Sequence, residues 1–203
     1  MSDKRPLMMD IAPAEARDFA WIAEQEAKRF SGIDVIPEAL LREWHSRNPT
    51  GFFLITDEDG RRAGYITILP VRAETLRLFL GGSIVERQIR ADAMYSADER
   101  ELIRDLYVES IVINLSGRAR AAALLALAVN FVSMIELICD IDKLNHVYAI
   151  AATTPGVNLL RRLGFSVVQK EVERKDGHVL FSVEGKTLMD RIAGIYKNRM
   201  SDD

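Results

Sequence analysis

The stretch "VINLSGRARAAALL", Val112–Leu125, passes from a β-branched run into an alanine- and leucine-rich run through a short loop of small and basic residues. A strand-to-helix junction of this kind can cradle phosphate, because backbone N–H groups at a helix start point toward an anion. Loops that do so are usually rich in glycine, which lets the backbone approach without a Cβ in the way. Here the loop holds only Gly117. Taken alone, it reads either as an anion site whose glycines became alanines or as an ordinary turn with two surface arginines, Arg118 and Arg120. The surrounding chain decides between them.

Upstream, "LYVESIVIN" (Leu106–Asn114) reads as a buried strand. Downstream, a helix is expected from about Ala119 to Asp140. It is apolar nearly all round, with Asn130, Ser133, Glu136 and Asp140 gathered into one narrow stripe, so most of its surface should be buried. A second strand, His146–Ala152, leads into the short helix "GVNLLRRL", closed by Gly164. This strand-helix-strand unit is long enough for a right-handed parallel crossover.

Further out, residues 13–30 space Phe19, Ile22, Ala23, Ala27 and Phe30 as an amphipathic helix does, with Pro13 in its first turn. A second helix is expected over Pro37–Ser46, ended by "NPTG". Phe52–Thr56 and Ala63–Leu69 flank Asp59-Gly60 as an antiparallel hairpin. Residues 73–80 read as a helix closed at Gly81-Gly82, while 83–105 carries no clear signal. "FSVVQKEVE" and "HVLFSVE" around Asp176-Gly177 form a last hairpin, followed by a helix over about Thr187–Asn198. The expected fold class is α/β: a mixed sheet flanked by helices in one domain, 1–203. Residues 1–12 are either a first strand or a loose start, and 185–203 form a terminal helix and tail.

Composition narrows the function classes. With 48% hydrophobic and 28% charged residues and a net charge of -3, the chain reads as a soluble globular protein with no electrostatic pull toward nucleic acid. A lone cysteine, Cys139, forms no internal disulfide, which fits a reduced, cytoplasmic setting. "MSDKRPLMMD" lacks the apolar run of a secretory signal, and the apolar stretch Ala119–Ile141 is broken by polar residues, so no membrane association is expected. The sequon Asn114-Leu115-Ser116 then has no consequence. His45, His146 and His178 stand in no metal-ligand spacing; each reads as a surface or loop residue, and no metal is expected.

Together, "ESIVINLSGRARAAALL" (Glu109–Leu125) and "YAIAATTPGVNLLRRLGF" (Tyr148–Phe165) resemble two landmarks of the GCN5-related N-acetyltransferase (GNAT) superfamily: the pyrophosphate loop with its strand and helix, and the next strand, helix and Gly-Phe turn. That family's loop has the form Gln/Arg-x-x-Gly-x-Gly/Ala. The best placement is Ser116, Gly117, Arg118, Ala119, Arg120, Ala121, with Ser116 in place of the opening residue and Ala119 in place of the central glycine.

The resemblance implies an acyl-CoA N-acyltransferase fold, a mostly antiparallel sheet with one parallel crossover. Acetyl-CoA or another acyl-CoA would be the co-substrate, and a small-molecule or peptide amine the acceptor. It places the cofactor along Ile111, Val112 and Ile113, at the loop, and at Thr153, where relatives carry an asparagine. Glu109, a carboxylate in an otherwise apolar strand, is the candidate base, its pKa raised by partial burial. Ser110, of opposite parity, is expected to point away from it. The position of the usual acid tyrosine is Leu160, which cannot donate a proton, leaving Tyr107, Tyr148, water or a substrate group. A catalytically silent acyl-CoA sensor or partner-binding module is therefore the alternative. The acceptor pocket is expected within residues 28–48 and 81–105, with Trp21, Phe30 and Trp44 read first as core residues. The terminal helix offers a surface for a homodimer.

Overall fold

A computed structural model describes residues 7–200, with side chains as far as residue 194. Residues 1–6 and 201–203, the ends of the expected start and tail, lie outside it. Strands β1 (Met9–Pro13), β2 (Phe52–Asp57), β3 (Arg62–Leu69), β4 (Asp105–Ile113), β5 (His146–Ala151), β6 (Ser166–Gln169) and β7 (Val179–Glu184) make one sheet in the order β1-β2-β3-β4-β5-β7-β6. Only β4 and β5 run parallel; the other neighbours are antiparallel. The parallel pair is the crossover expected from the sequence.

Helices α1 (Phe19–Arg29), α2 (Glu38–Arg47) and α3 (Ala73–Leu80) cover one face of the sheet, and α4 (Gly117–Ile138), α5 (Thr154–Arg162) and α6 (Gly185–Met200) the other. Two cores result. One gathers Phe19, Leu41, Trp44, Tyr65, Phe79 and Tyr107; the other gathers Ile66, Val108, Phe131, Ile135, Val147 and Phe181. Trp44 is packed in the first, its indole N–H donating to the Ile89 carbonyl at 2.8 Å.

Three local expectations are corrected, and the region that carried no signal takes a definite form. The first helix begins at Phe19, not at residue 13, because Met9–Pro13 pairs antiparallel with Phe53–Asp57 as an edge strand. Pro13, with no N–H to give, sits at that strand's end, and Asp18 holds the turn by accepting from the Glu15 N–H at 2.9 Å. Strand β6 stops at Gln169 because a 3-10 turn at Glu171–Glu173 and the buried Arg174 draw the chain away. The guanidinium donates to the Leu80 carbonyl at 3.2 Å and to Gln169 Oε1 at 3.1 Å. The silent region 83–105 is a series of 3-10 turns fastened by Glu99, which takes hydrogen bonds from Arg47 at 2.9 Å and Arg72 at 2.7 Å.

The third correction concerns α4. It is long and apolar enough to cross a membrane, with a mean hydropathy of 2.1. Its buried stripe, Ala123, Leu127, Phe131, Met134, Ile135 and Ile138, nevertheless packs on the sheet. A helix laid on a flat sheet hides one side only, so Val129 and Leu137 stay 41% and 49% exposed.

Gly64, between β2 and β4, has no room for a side chain: a Cβ there would stand 2.3 Å from the Val112 carbonyl oxygen and 3.2 Å from the Ile113 Cα. Gly64→Ala should cost about 1–3 kcal/mol through forced backbone displacement. A urea unfolding midpoint measured against wild type checks this, and an unchanged midpoint would show that β3 and β4 are not in such close register.

Candidate active site

Strand β4 carries one residue more than its partner. Thr67 of β3 faces Ser110 and the next residue, Ile68, faces Val108, so Glu109 has no counterpart. Such a bulge leaves its extra residue unpaired and sharpens the local twist. On its other side β4 pairs with β5 only from Asp105 opposite His146 to Val108 opposite Ala149. Beyond that point the two strands part. A cavity of about 710 Å³ fills the gap, walled by β4 from Val108 to Ile113 and by residues 149–153. This size is ordinary for a small-molecule site.

The bulge also resets the alternation of side chains. Before it, Tyr107 belongs to the α1–α3 core and Val108 to the α4 core; after it, Val112 belongs to the former and Ile113 to the latter. Glu109 and Ser110 therefore project to the same face, and the expectation that Ser110 points away is corrected. Helix α1 meets them there. Ser110 Oγ donates to Glu26 Oε1 at 2.9 Å, and the Tyr65 hydroxyl donates to the same oxygen.

Glu109 is 9% exposed and Glu26 fully buried. Burial pushes the Glu109 carboxyl well above the usual range; the charges of Glu26 and Glu86 add to this, and the neighbouring Ser110 and Thr67 hydroxyls oppose it. Burial likewise raises Glu26, against the hydrogen bonds from Tyr65 and Ser110. It takes Glu86, which accepts from the Tyr107 hydroxyl at 2.5 Å, up to about 8. The second oxygens of Glu26 and Glu109 have no hydrogen-bond partner among the described residues.

On the α4 side the wall is apolar and basic. Ile111, Val112, Ile113, Thr153 and Arg120 all line the cavity, as do Leu124, Leu160 and Arg162. Ser116, Gly117, Arg118, Ala119 and Ala121 do not; they flank Arg120 along the chain. Gly117 takes a left-handed φ of 55°, which a residue with a Cβ adopts only with strain. The first main-chain bond of α4 runs from the Arg120 N–H to the Ser116 carbonyl at 3.3 Å, and Ser116 gives no side-chain cap. The N–H groups of Gly117, Arg118 and Ala119 thus precede the helical ladder and are free to bind an anion. Thr153 caps α5, its Oγ1 accepting from the Gly156 N–H at 3.2 Å.

Sequence reasoning missed several groups on this wall. Glu86 lies in the region that carried no signal. Arg29 reaches over from α1 to the end of β4, donating to Asn114 Oδ1 at 3.1 Å and the Ile113 carbonyl at 3.4 Å. His178, read as a loop residue, is half-buried against Asp34, with Nε2 3.0 Å from Oδ2. Glu26, just behind the wall, did leave a trace: it lies four residues after Ile22 and four before Phe30, a carboxylate on the apolar stripe of α1. Of the early aromatics, only Phe30 reaches the cavity; Trp21 instead stacks edge-on against Tyr65 at 6.2 Å.

Carboxyls that are neutral in the folded chain make stability depend on pH. Their ordinary value is near 4.5, so above that pH the unfolded chain releases protons that the native chain keeps. Their contribution is whole below about pH 4.5 and is lost as pH rises through the folded value, about 8 for Glu86. Glu86→Gln should therefore lose less stability than wild type between pH 5 and pH 8, roughly the interval in which native and unfolded chains differ in bound protons. Parallel urea midpoint curves for the two proteins would contradict the assignment.

No protein-family model matches the sequence, and no curated protein matches it in sequence. Solved structures do. An uncharacterised protein from Bacillus halodurans aligns with a TM-score of 0.59 at 12% identity, over 94% of this chain and 91% of that one. A GNAT-family acetyltransferase from Listeria monocytogenes aligns at 0.50 and 14% identity, over 87% and 94%. The structure of the NatC complex bound to Gag peptide and CoA contains a chain that aligns at 0.53 and 13% identity, over 86% and 96%. With its mixed seven-stranded sheet and its single parallel pair at β4 and β5, the chain is a divergent bearer of the GNAT acetyltransferase fold.

Proposed function

We propose that this chain is an acyl-CoA-dependent N-acyltransferase that moves an acetyl or other short acyl group to a primary amine, with Glu109 as the base. The observation that carries this reading is the parting of β4 from β5 beside a buried carboxylate with an unpartnered oxygen.

The groove suits acyl-CoA. Past Val108 the β5-facing edge of β4 has no strand partner, so peptide groups of Ile111–Ile113 can bond to a pantetheine arm. The first-turn amides of α4, with Arg120, Arg29 and Arg162 on the wall, supply donors for a diphosphate. Bound acyl-CoA supplies an activated thioester carbonyl.

The amine nitrogen forms its bond to that carbonyl carbon as the carbon–sulfur bond breaks, and the departing thiolate needs a proton. Glu109 takes the proton that the amine must shed. Buried among carboxyls, Glu109 is neutral before the acceptor arrives; an ammonium group entering the cavity favours its ionised form, so Glu109 gives up its own proton to solvent and then takes one from the ammonium. Leu160, 5% exposed on the wall, cannot act as the acid. Tyr107 is the only tyrosine lining the cavity among the described residues, and burial with the Glu86 carboxyl beside it holds its hydroxyl well above the ordinary phenol range, so the thiolate takes the second proton that the attacking nitrogen sheds.

The leucine at this position also favours a second reading, a cofactor-binding protein without turnover. Thermal shift and thiol release separate the two. Acetyl-CoA should raise the melting temperature, since binding to the native state stabilises it. Absence of a shift at saturation would exclude both readings. Glu109→Gln should lower the rate of thiol release about 100-fold or more while leaving that shift intact. Unchanged release would remove Glu109 from the role, and no release by wild type with any amine would favour the silent protein. Arg120→Glu should weaken acetyl-CoA binding roughly tenfold, more than Arg118→Glu, because only the former side chain lines the cavity. Equal losses would show that both reach the diphosphate.

A further inference from the structure

The cavity wall carries both charges. Arg29, held at the end of β4, Arg120 and Arg162 line it, as do the acids Asp34, Glu86, Glu109 and Asp176, of which Asp34 and Asp176 lie close enough for their charges to act on Glu86. Two of these acids are already matched. Arg174 pairs with Asp176 at 2.5 Å, and His178 meets Asp34 at 3.0 Å.

Glu86 and Glu109 are not. Among the described residues the only hydrogen-bond donor to the Glu86 side chain is the Tyr107 hydroxyl, and Glu26 behind them is held by Tyr65 and Ser110, neither of which carries positive charge. Glu109, more than nine-tenths buried, keeps one oxygen without any partner while lining the space. A buried carboxyl without a counter-ion stays protonated, and a cation entering beside it is what lets it ionise.

One cation does not balance this arrangement. The nitrogen that attacks must first lose its proton, which passes to Glu109, so the reacting end brings no lasting positive charge. Glu86, half-buried and raised to about 8, would stay neutral beside it; a second cationic group favours its ionised form, as the ammonium does at Glu109. We infer that the acceptor is a small dicationic amine, a diamine or an amine bearing a second cationic group. Its reacting nitrogen lies at Glu109 and its other charge is held by Glu86, with Asp34 next along the wall. An amino acid's α-amine fits poorly, since its carboxylate would join the acidic groups. The Asp34–His178 contact ties the turn after α1 to the segment before β7 along the cavity wall.

This inference rests on the transfer reading, but binding tests it separately. The probes are 1,4-diaminobutane and butylamine, matched in chain length, added to the full chain with CoA present. The diamine should shift the melting temperature at concentrations where butylamine does not. In thiol release with acetyl-CoA its kcat/KM should be at least about tenfold higher, the size of one charge-assisted contact. Glu86→Gln should shrink the diamine-to-monoamine ratio to within about twofold, whatever the absolute rates. Equal shifts and equal kcat/KM for the two amines in wild type would overturn the inference while leaving acyl transfer standing. A ratio unchanged by Glu86→Gln would overturn the role of Glu86. A diamine-selective shift with no thiol release from any amine would support the dicationic site and overturn the transfer reading. No shift and no release would overturn both.

Discussion

One supernumerary residue in the middle of a strand shapes this molecule's site. Had Glu109 a partner in β3, β4 would stay flush with β5, the sheet would be continuous, and no space would exist between its halves. Because it has none, β4 twists away after Val108, and the same irregularity turns Glu109 and Ser110 toward α1. Helix α1 answers with Glu26 against Ser110 and with Arg29 and Gln25 at the strand's end. The amide of Asn114 donates to Gln25 Oε1 at 2.9 Å. The helix therefore fixes the strand on the far side of the opening, where the sheet itself no longer can.

The order of elements was legible in the sequence because its signals are local. Gly60, Gly82, Gly164 and Gly177 all adopt positive φ, as turn or cap glycines should, and each bounds an element read correctly. What stayed hidden depends on contacts between distant segments. Pro13 joins a strand rather than a helix because Phe53 lies opposite it, and nothing in residues 9–18 announces that partner. The overall apolarity of α4 suggested full burial, but how much of a helix is covered is set by its neighbours.

The site was legible in outline only. Glu109 stood out as a carboxylate in an apolar strand, and Arg120 and Thr153 followed from the loop and helix positions. The parity of Ser110 was misread because alternation assumes an unbroken ladder, and a one-residue excess in β4 shows only against β3. Glu86 and His178 come from irregular segments more than 20 residues from Glu109, brought together by folding alone. Leu160 and Ala119, departures from the family's pattern, now have a setting: a tyrosine from β4 lines the same cavity from the opposite face of the sheet, and the alanine stands next to an arginine that lines the space.

There is a division of labour between rigid and irregular parts of the chain. Glu109, the proposed base, and Tyr107, which holds Glu86, sit two residues apart on a central strand clamped by the sheet. The groups that would choose the acceptor, Glu86 and Asp34, sit in single 3-10 turns joined to the remainder by short connections. Mutation can exchange such turns without disturbing the strand. A scaffold arranged in this way is highly evolvable: the groups that would select a ligand can drift while the strand beneath them stays the same.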